Sequence, residues 1–150
     1  MSLLELYTEV ILQHNKDPQN VGEISDADID VKGYNKSCGD DIRMFVSLEG
    51  EVVREIKFVG RGCAISQSSA SMMTDRMKGK TLADAMKFLE EFKQVIHAEK
   101  EFPDTDDFRE LTALRGVWKF PNRAKCASLA WDTLEHGVMD YKVRRNGSLT

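Results

Sequence analysis

Three cysteines and one aspartate are the residues of this 150-residue chain whose types and placement suggest shared chemistry. Cys38 is followed by Gly39 and Asp40; in extended chain, positions 38 and 40 project from the same side, so a thiolate and a carboxylate can meet one ion. Cys63 follows Gly60-Arg61-Gly62 and opens a helical pattern. The free N–H groups and dipole of a helix start lower a thiol pKa, which predicts a thiolate at Cys63. Cys126 also falls near a predicted helix start, with Arg123 and Lys125 within three residues, and nearby cations again favour thiolate. None of the three lies in the middle of an apolar stripe, where a cysteine acting as a small core hydrophobe belongs.

Three thiolates and one carboxylate suit tetrahedral zinc. The same thiolates would also hold iron and sulfide. No Cys-x-x-Cys pair is present, so spacing does not choose between these metals, and the fold must assemble the group. The same lack of a pair argues against a thiol oxidoreductase. The histidines read as bystanders. His136 is ten residues beyond Cys126, roughly 15 Å along a regular helix. His97 falls in a charged stretch, and a C-terminal dipole contact accounts for His14 at the end of the first helix.

The elements that must position these residues follow from periodicity. Ser2 and Glu5 form a capping box, and Leu3, Leu6, Tyr7, Val10, Ile11 and His14 recur at helical spacing, predicting a helix over 3–15. Residues 15–30 read as a surface connection. Alternation at Ile42, Met44, Val46 and Leu48 and again at Val52, Arg54, Ile56 and Phe58, across Glu49-Gly50, predicts a β-hairpin. Val31–Tyr34 supplies a third antiparallel strand, weakened by Gly33. A helix follows Cys63 and stops at Gly79, and another opens with Thr81 and Asp84, burying Leu82, Ala85, Met86, Leu89, Phe92 and Ile96. Residues 97–107 form an acidic exposed loop, a short helix covers 107–115, and Asn122 caps a last helix with Leu129, Ala130, Thr133, Leu134 and Val138 inward. The polar tail 142–150 is expected to fray. The expectation is a single α+β domain over 1–150, a small antiparallel three-stranded sheet packed against helices.

Composition narrows the function. Residues 1–75 carry 7 basic and 13 acidic side chains and residues 76–150 carry 14 and 12, for a net charge of −4. With no basic block longer than Arg144-Arg145, the chain lacks the footprint of nucleic-acid binding. It also lacks an apolar run near the roughly 20 residues of a membrane span, and its N-terminus has no basic-then-apolar leader. A cytoplasmic protein is expected, and its reducing surroundings disfavour structural disulfides.

The flanks of the cysteines carry more. Asn35-Lys36-Ser37-Cys38-Gly39-Asp40, Phe58-Val59-Gly60-Arg61-Gly62-Cys63-Ala64-Ile65-Ser66, Ser71-Met72-Met73-Thr74 and Gly116-Val117-Trp118-Lys119-Phe120-Pro121-Asn122-Arg123-Ala124-Lys125-Cys126, continuing to Trp131, closely resemble the IscU/NifU N-terminal family, in order and over nearly the whole chain. Two features are similar to its SufU branch. Lys125 stands where scaffold members carry a histidine, and the segment between Cys63 and Cys126 is long, with the 97–107 loop inside the insertion. Lys36 departs from the proline common there.

The resemblance implies iron–sulfur cluster biogenesis. It implies zinc held by Cys38, Asp40, Cys63 and Cys126, with Asp40 preferred over Asp41 only by the motif, and persulfide chemistry at Cys38 and Cys126 with Arg123 steadying a released thiolate. The implied partners are a cysteine desulfurase of the SufS type and a downstream cluster-assembly scaffold. Two alternatives stand beside this zinc-dependent sulfurtransferase reading: a scaffold that assembles a labile iron–sulfur cluster, and a structural zinc module that binds a partner and transfers nothing.

Overall fold

The alternating segments pair as expected. Strands β2 (Asp40–Glu49) and β3 (Val52–Arg61) form an antiparallel hairpin joined by the two-residue turn Gly50-Glu51. Gly50 takes φ +62° there, a left-handed conformation that costs glycine little. Strand β1 (Ile29–Asn35) pairs antiparallel with the other side of β2, giving the order β1-β2-β3. This architecture is that of a computed structural model, and it describes residues 7–148.

The helices are α1 (Glu9–Lys16), α2 (Ala64–Met77), α3 (Leu82–Ile96) and α4 (Pro121–Ser148). Helices α2 and α4 pack on each other and on the sheet, α1 lies on α2, and α3 on α4. Ile42, Met44, Val46, Ile56 and Phe58 face this layer and are buried. Trp131 of α4 stacks on Phe92 of α3, their centroids 3.7 Å apart, and its indole N–H donates to Ser69 Oγ at 3.0 Å. An aromatic ring and its polar edge are thereby both satisfied in the core.

Gly33 turns out to serve the packing. A Cβ there would overlap Thr133 Oγ1, and one at Gly137 would press on Ile29 and Val31. These glycines let α4 approach β1 closely, and α4 carries Cys126.

Several boundaries differ from expectation. Helix α1 starts at Glu9, where the Thr8 hydroxyl accepts the Ile11 N–H; Ser2 and Glu5 lie outside the described residues. Residues 20–22 are tied to the edge of β3: Phe58 N–H donates to the Asn20 carbonyl and Gly22 N–H to the Phe58 carbonyl, both at 3.0 Å. The helix expected over 107–115 is instead a series of 3-10 turns, Asp106–Phe108, Leu111–Leu114 and Val117–Lys119. Phe108, Leu111, Leu114 and Val117 are all buried, and an apolar residue every third position matches three residues per turn rather than 3.6. Helix α4 runs from Pro121 to Ser148, with Arg144 paired to Asp140 one turn back. Residues 149–150 lie outside the described residues.

Candidate metal and sulfur site

Cys38 sits in the tight turn between β1 and β2. Its N–H donates to the Asn35 carbonyl at 3.3 Å, Ser37 N–H donates to Asn35 Oδ1 at 3.2 Å, and Gly39 takes φ +68°. The chain here is not extended, as the sequence suggested; the turn brings Cys38 and Asp40 to a common centre. Asp40 opens β2 and is 0% exposed. Its Oδ1 accepts the Cys63 N–H at 2.9 Å, and Oδ2 lies 3.9 Å from Cys63 Sγ. Gly62 makes room for this carboxylate: a Cβ at Gly62 would overlap Asp40 Oδ1 and Ser66 Oγ.

Cys63 is the N-cap of α2, its sulfur accepting the Ser66 N–H at 3.4 Å. Cys126, in the second turn of α4, is 0% exposed, with its Sγ 3.0 Å from Cys38 Sγ and 3.9 Å from Asn35 Nδ2. The ligand atoms of Cys38, Asp40 and Cys126 all lie within 4.8 Å of one another. Cys63 touches this group through Asp40 while its sulfur also caps the helix. Among the described residues no histidine joins the cluster. His97 and His136 are exposed. His14 is buried, and in place of the expected dipole contact it bonds Ser71 Oγ at 2.7 Å and Glu110 at 2.9 Å.

The electrostatics correct one expectation. Burial, reinforced by Cys38, Asp40 and Cys63, pushes the Cys126 thiol far above its ordinary value. Arg123 is half-buried beside it; burial pulls its pKa down, but Tyr7, Cys126 and Cys63 carry it above its ordinary value. Lys125 is exposed and belongs to a neighbouring cleft rather than to the cluster. Two cations on the same turn therefore do not make Cys126 a thiolate.

The donor set fits a divalent cation. Asp40 is a fully buried carboxyl whose hydrogen-bond donors are one backbone N–H and the Cys63 thiol, and the sulfurs of Cys38 and Cys126 lie within 4.8 Å of its oxygen and of each other. Such a group is costly without a positive partner, and sulfur with a single oxygen is the ligand mix of zinc. Asn35, Gly62 and Ser66 are the site residues the sequence reading missed. An asparagine three residues before a cysteine in a glycine-containing turn is the available signal for the first.

Comparison with known proteins agrees over almost all of this architecture. The profile of the NifU-like N terminal domain matches residues 6–148. The Bacillus subtilis protein named zinc-dependent sulfurtransferase SufU is 45% identical over 133 residues, covering 89% of each chain. The Streptococcus pyogenes iron–sulfur cluster assembly scaffold protein IscU is 35% identical, covering 91% of this chain and 84% of its own. The crystal structure of a Fervidobacterium islandicum protein described as an iron–sulfur cluster assembly scaffold protein for the SUF system (FiSufU) superposes with a TM-score of 0.82 at 31% identity, over 91% of this chain and 98% of that one.

Proposed function

Because the chain belongs to the NifU-like N-terminal domain family, we propose that it acts in iron–sulfur cluster biogenesis as a zinc-dependent sulfur acceptor, taking persulfide sulfur from a cysteine desulfurase of the SufS type and passing it on to a cluster-assembly scaffold in the cytoplasm. The observation that carries this reading is the convergence of Cys38, Asp40 and Cys126 within 4.8 Å, with Cys63 on the Asp40 carboxylate. Cys38, Asp40, Cys63 and Cys126 are the proposed zinc ligands. When bound, zinc keeps their thiols deprotonated near neutral pH.

Cys38 is the proposed acceptor. It is half-buried in a turn at the mouth of a surface cleft, whereas Cys126 is sealed in the core. Its thiolate attacks the outer sulfur of the donor persulfide; the donor S–S bond breaks, a new S–S bond forms on Cys38, and the desulfurase cysteine leaves as thiolate. Arg123, lining the same cleft, holds positive charge where sulfur anions come and go. Burial of Cys126 and Asp40 keeps water from that side of the site.

Two measurements test the reading. Protein purified anaerobically without chelators is expected to hold about one zinc per chain and no acid-labile sulfide. Cys38→Ser and Cys126→Ser should each remove stimulation of the desulfurase while desulfurase binding persists. Stimulation that survives both changes would leave a structural zinc module. Iron with matching sulfide would instead support the scaffold reading, which the 35% identity to an IscU scaffold favours.

A further inference from the structure

A second cleft of about 620 Å³ lies beside the cysteine site, between the end of β1, the end of α3 and the first turns of α4. Asn35 and Pro121 join the two regions. Asn35 lines the cleft and reaches Cys126 Sγ, and Pro121 lines both this cleft and the one holding Cys38. Its lining carries charge of both signs. Ser128, 7% exposed, also lines it, and its buried Oγ has no hydrogen-bond partner among the described residues, an expensive omission inside a protein. Lys125 brings an ammonium that enters no ion pair among the described residues. Asp132 brings a carboxylate 3.8 Å from Lys93 Nζ, which is already hydrogen-bonded to Glu135. Tyr34 and Trp118, 61% and 48% exposed, are its aromatic flanks.

Opposite charges in one cleft match a zwitterion, with its carboxylate on Lys125 and its ammonium on Asp132. The four residues from Lys125 back to Pro121 rise about 6 Å along α4. A single amino acid does not cover that span, but a tripeptide, about 10 Å when extended, does. We infer that the cleft binds a short cysteine-containing peptide with a free α-amino-acid end, and that this thiol is a soluble acceptor of the sulfur carried on Cys38. The acceptor role rests on the sulfur-transfer reading above; the binding site does not. In the transfer step the peptide thiolate attacks the outer sulfur of the Cys38 persulfide, a peptide persulfide forms, and Cys38 leaves as thiolate, so sulfur and electrons balance without an added oxidant or reductant.

Glutathione, which has a free α-amino-acid end, is the probe. S-methylglutathione, which has no thiol to offer a metal, is titrated into the zinc-loaded chain while the Trp118 indole and Asn35 amide resonances are followed. These signals should shift, with affinity about tenfold weaker in Lys125→Gln and in Asp132→Asn, the scale of one lost charged hydrogen bond. No shift, or binding indifferent to both substitutions, overturns the site. Chain persulfidated with inorganic polysulfide and desalted is then mixed with glutathione or L-cysteine, and loss of one sulfur is followed by intact mass. Unloading by glutathione should slow about tenfold in Lys125→Gln while unloading by L-cysteine stays unchanged; equal rates throughout overturn the acceptor role. A chain that takes up no persulfide overturns the acceptor role and the sulfur-transfer reading together, while the S-methylglutathione titration still decides the site.

Discussion

Two polar clusters hold this molecule together across distant segments, and they differ in one respect. In the first, His14 of α1 bonds Ser71 of α2 and Glu110 of the 3-10 segment, and Glu110 also accepts from Arg76 at 2.8 Å. The Ser71 hydroxyl accepts the Gln19 N–H at 2.8 Å as well. Every group has a complementary partner, and the cluster is closed. In the second, Cys38, Asp40, Cys63 and Cys126 meet with no cation among the four and Arg123 beside Cys126. A closed network specifies how elements dock; an open one of this composition calls for an ion.

The difference can be broken experimentally, starting with the metal. Chelation should lower the melting temperature by about 10 °C or more, because an ion that binds only the folded chain stabilises it by mass action. A calorimetric trace unchanged by chelator would mean that the second cluster is as closed as the first. Next in size, Asp40→Ala should weaken zinc binding at least tenfold, about 1.4 kcal/mol or more, in a competition titration with a chromogenic chelator. Glu110→Ala in the same titration should leave zinc affinity unaltered, since it belongs to the closed cluster.

Glu110→Gln tests that closed cluster and should cost about 1 kcal/mol at neutral pH, given the partial exposure of the carboxylate. Burial works to raise the Glu110 pKa, but His14 and Arg76 prevail and hold it below the usual carboxylate value. Its folded pKa is thus below its unfolded one. The stabilisation is complete above the ordinary carboxylate range and disappears as pH falls through the depressed value. Denaturant midpoints of wild type and variant should therefore converge in acid; a constant gap down to the lowest pH would exclude this ion-pair account. Smallest of all, Arg144→Ala, which removes an exposed pair with Asp140, should shift stability by no more than about 0.5 kcal/mol.

Much of the layout was legible because it rests on local rules. The alternation in β2 and β3, the Thr81 hydroxyl that accepts the Asp84 N–H at 3.0 Å, and the apolar stripe of α3 need only neighbouring residues. The segment expected as a helix over 107–115 forms 3-10 turns instead, because Phe108, Leu111, Leu114 and Val117 bury a side chain at every third position. Gly33 was misread because its reason, Thr133, lies a hundred residues away. The Cys126 thiol was misjudged on the same ground: Arg123 and Lys125 are close in sequence, but burial and the three acidic neighbours outweigh them in space.

By itself the amino-acid sequence determined the residue types able to hold a metal, their positions at turns and helix starts, and the α+β pattern around them. These depend on backbone propensity and hydrophobic period, which act over a few residues. Only the tertiary structure decided which thiols meet the Asp40 carboxylate, that Lys125 serves a separate cleft, and that His14 ties the 3-10 segment to α1 and α2. Those outcomes depend on distance and desolvation, which exist only once segments far apart in the chain are packed together.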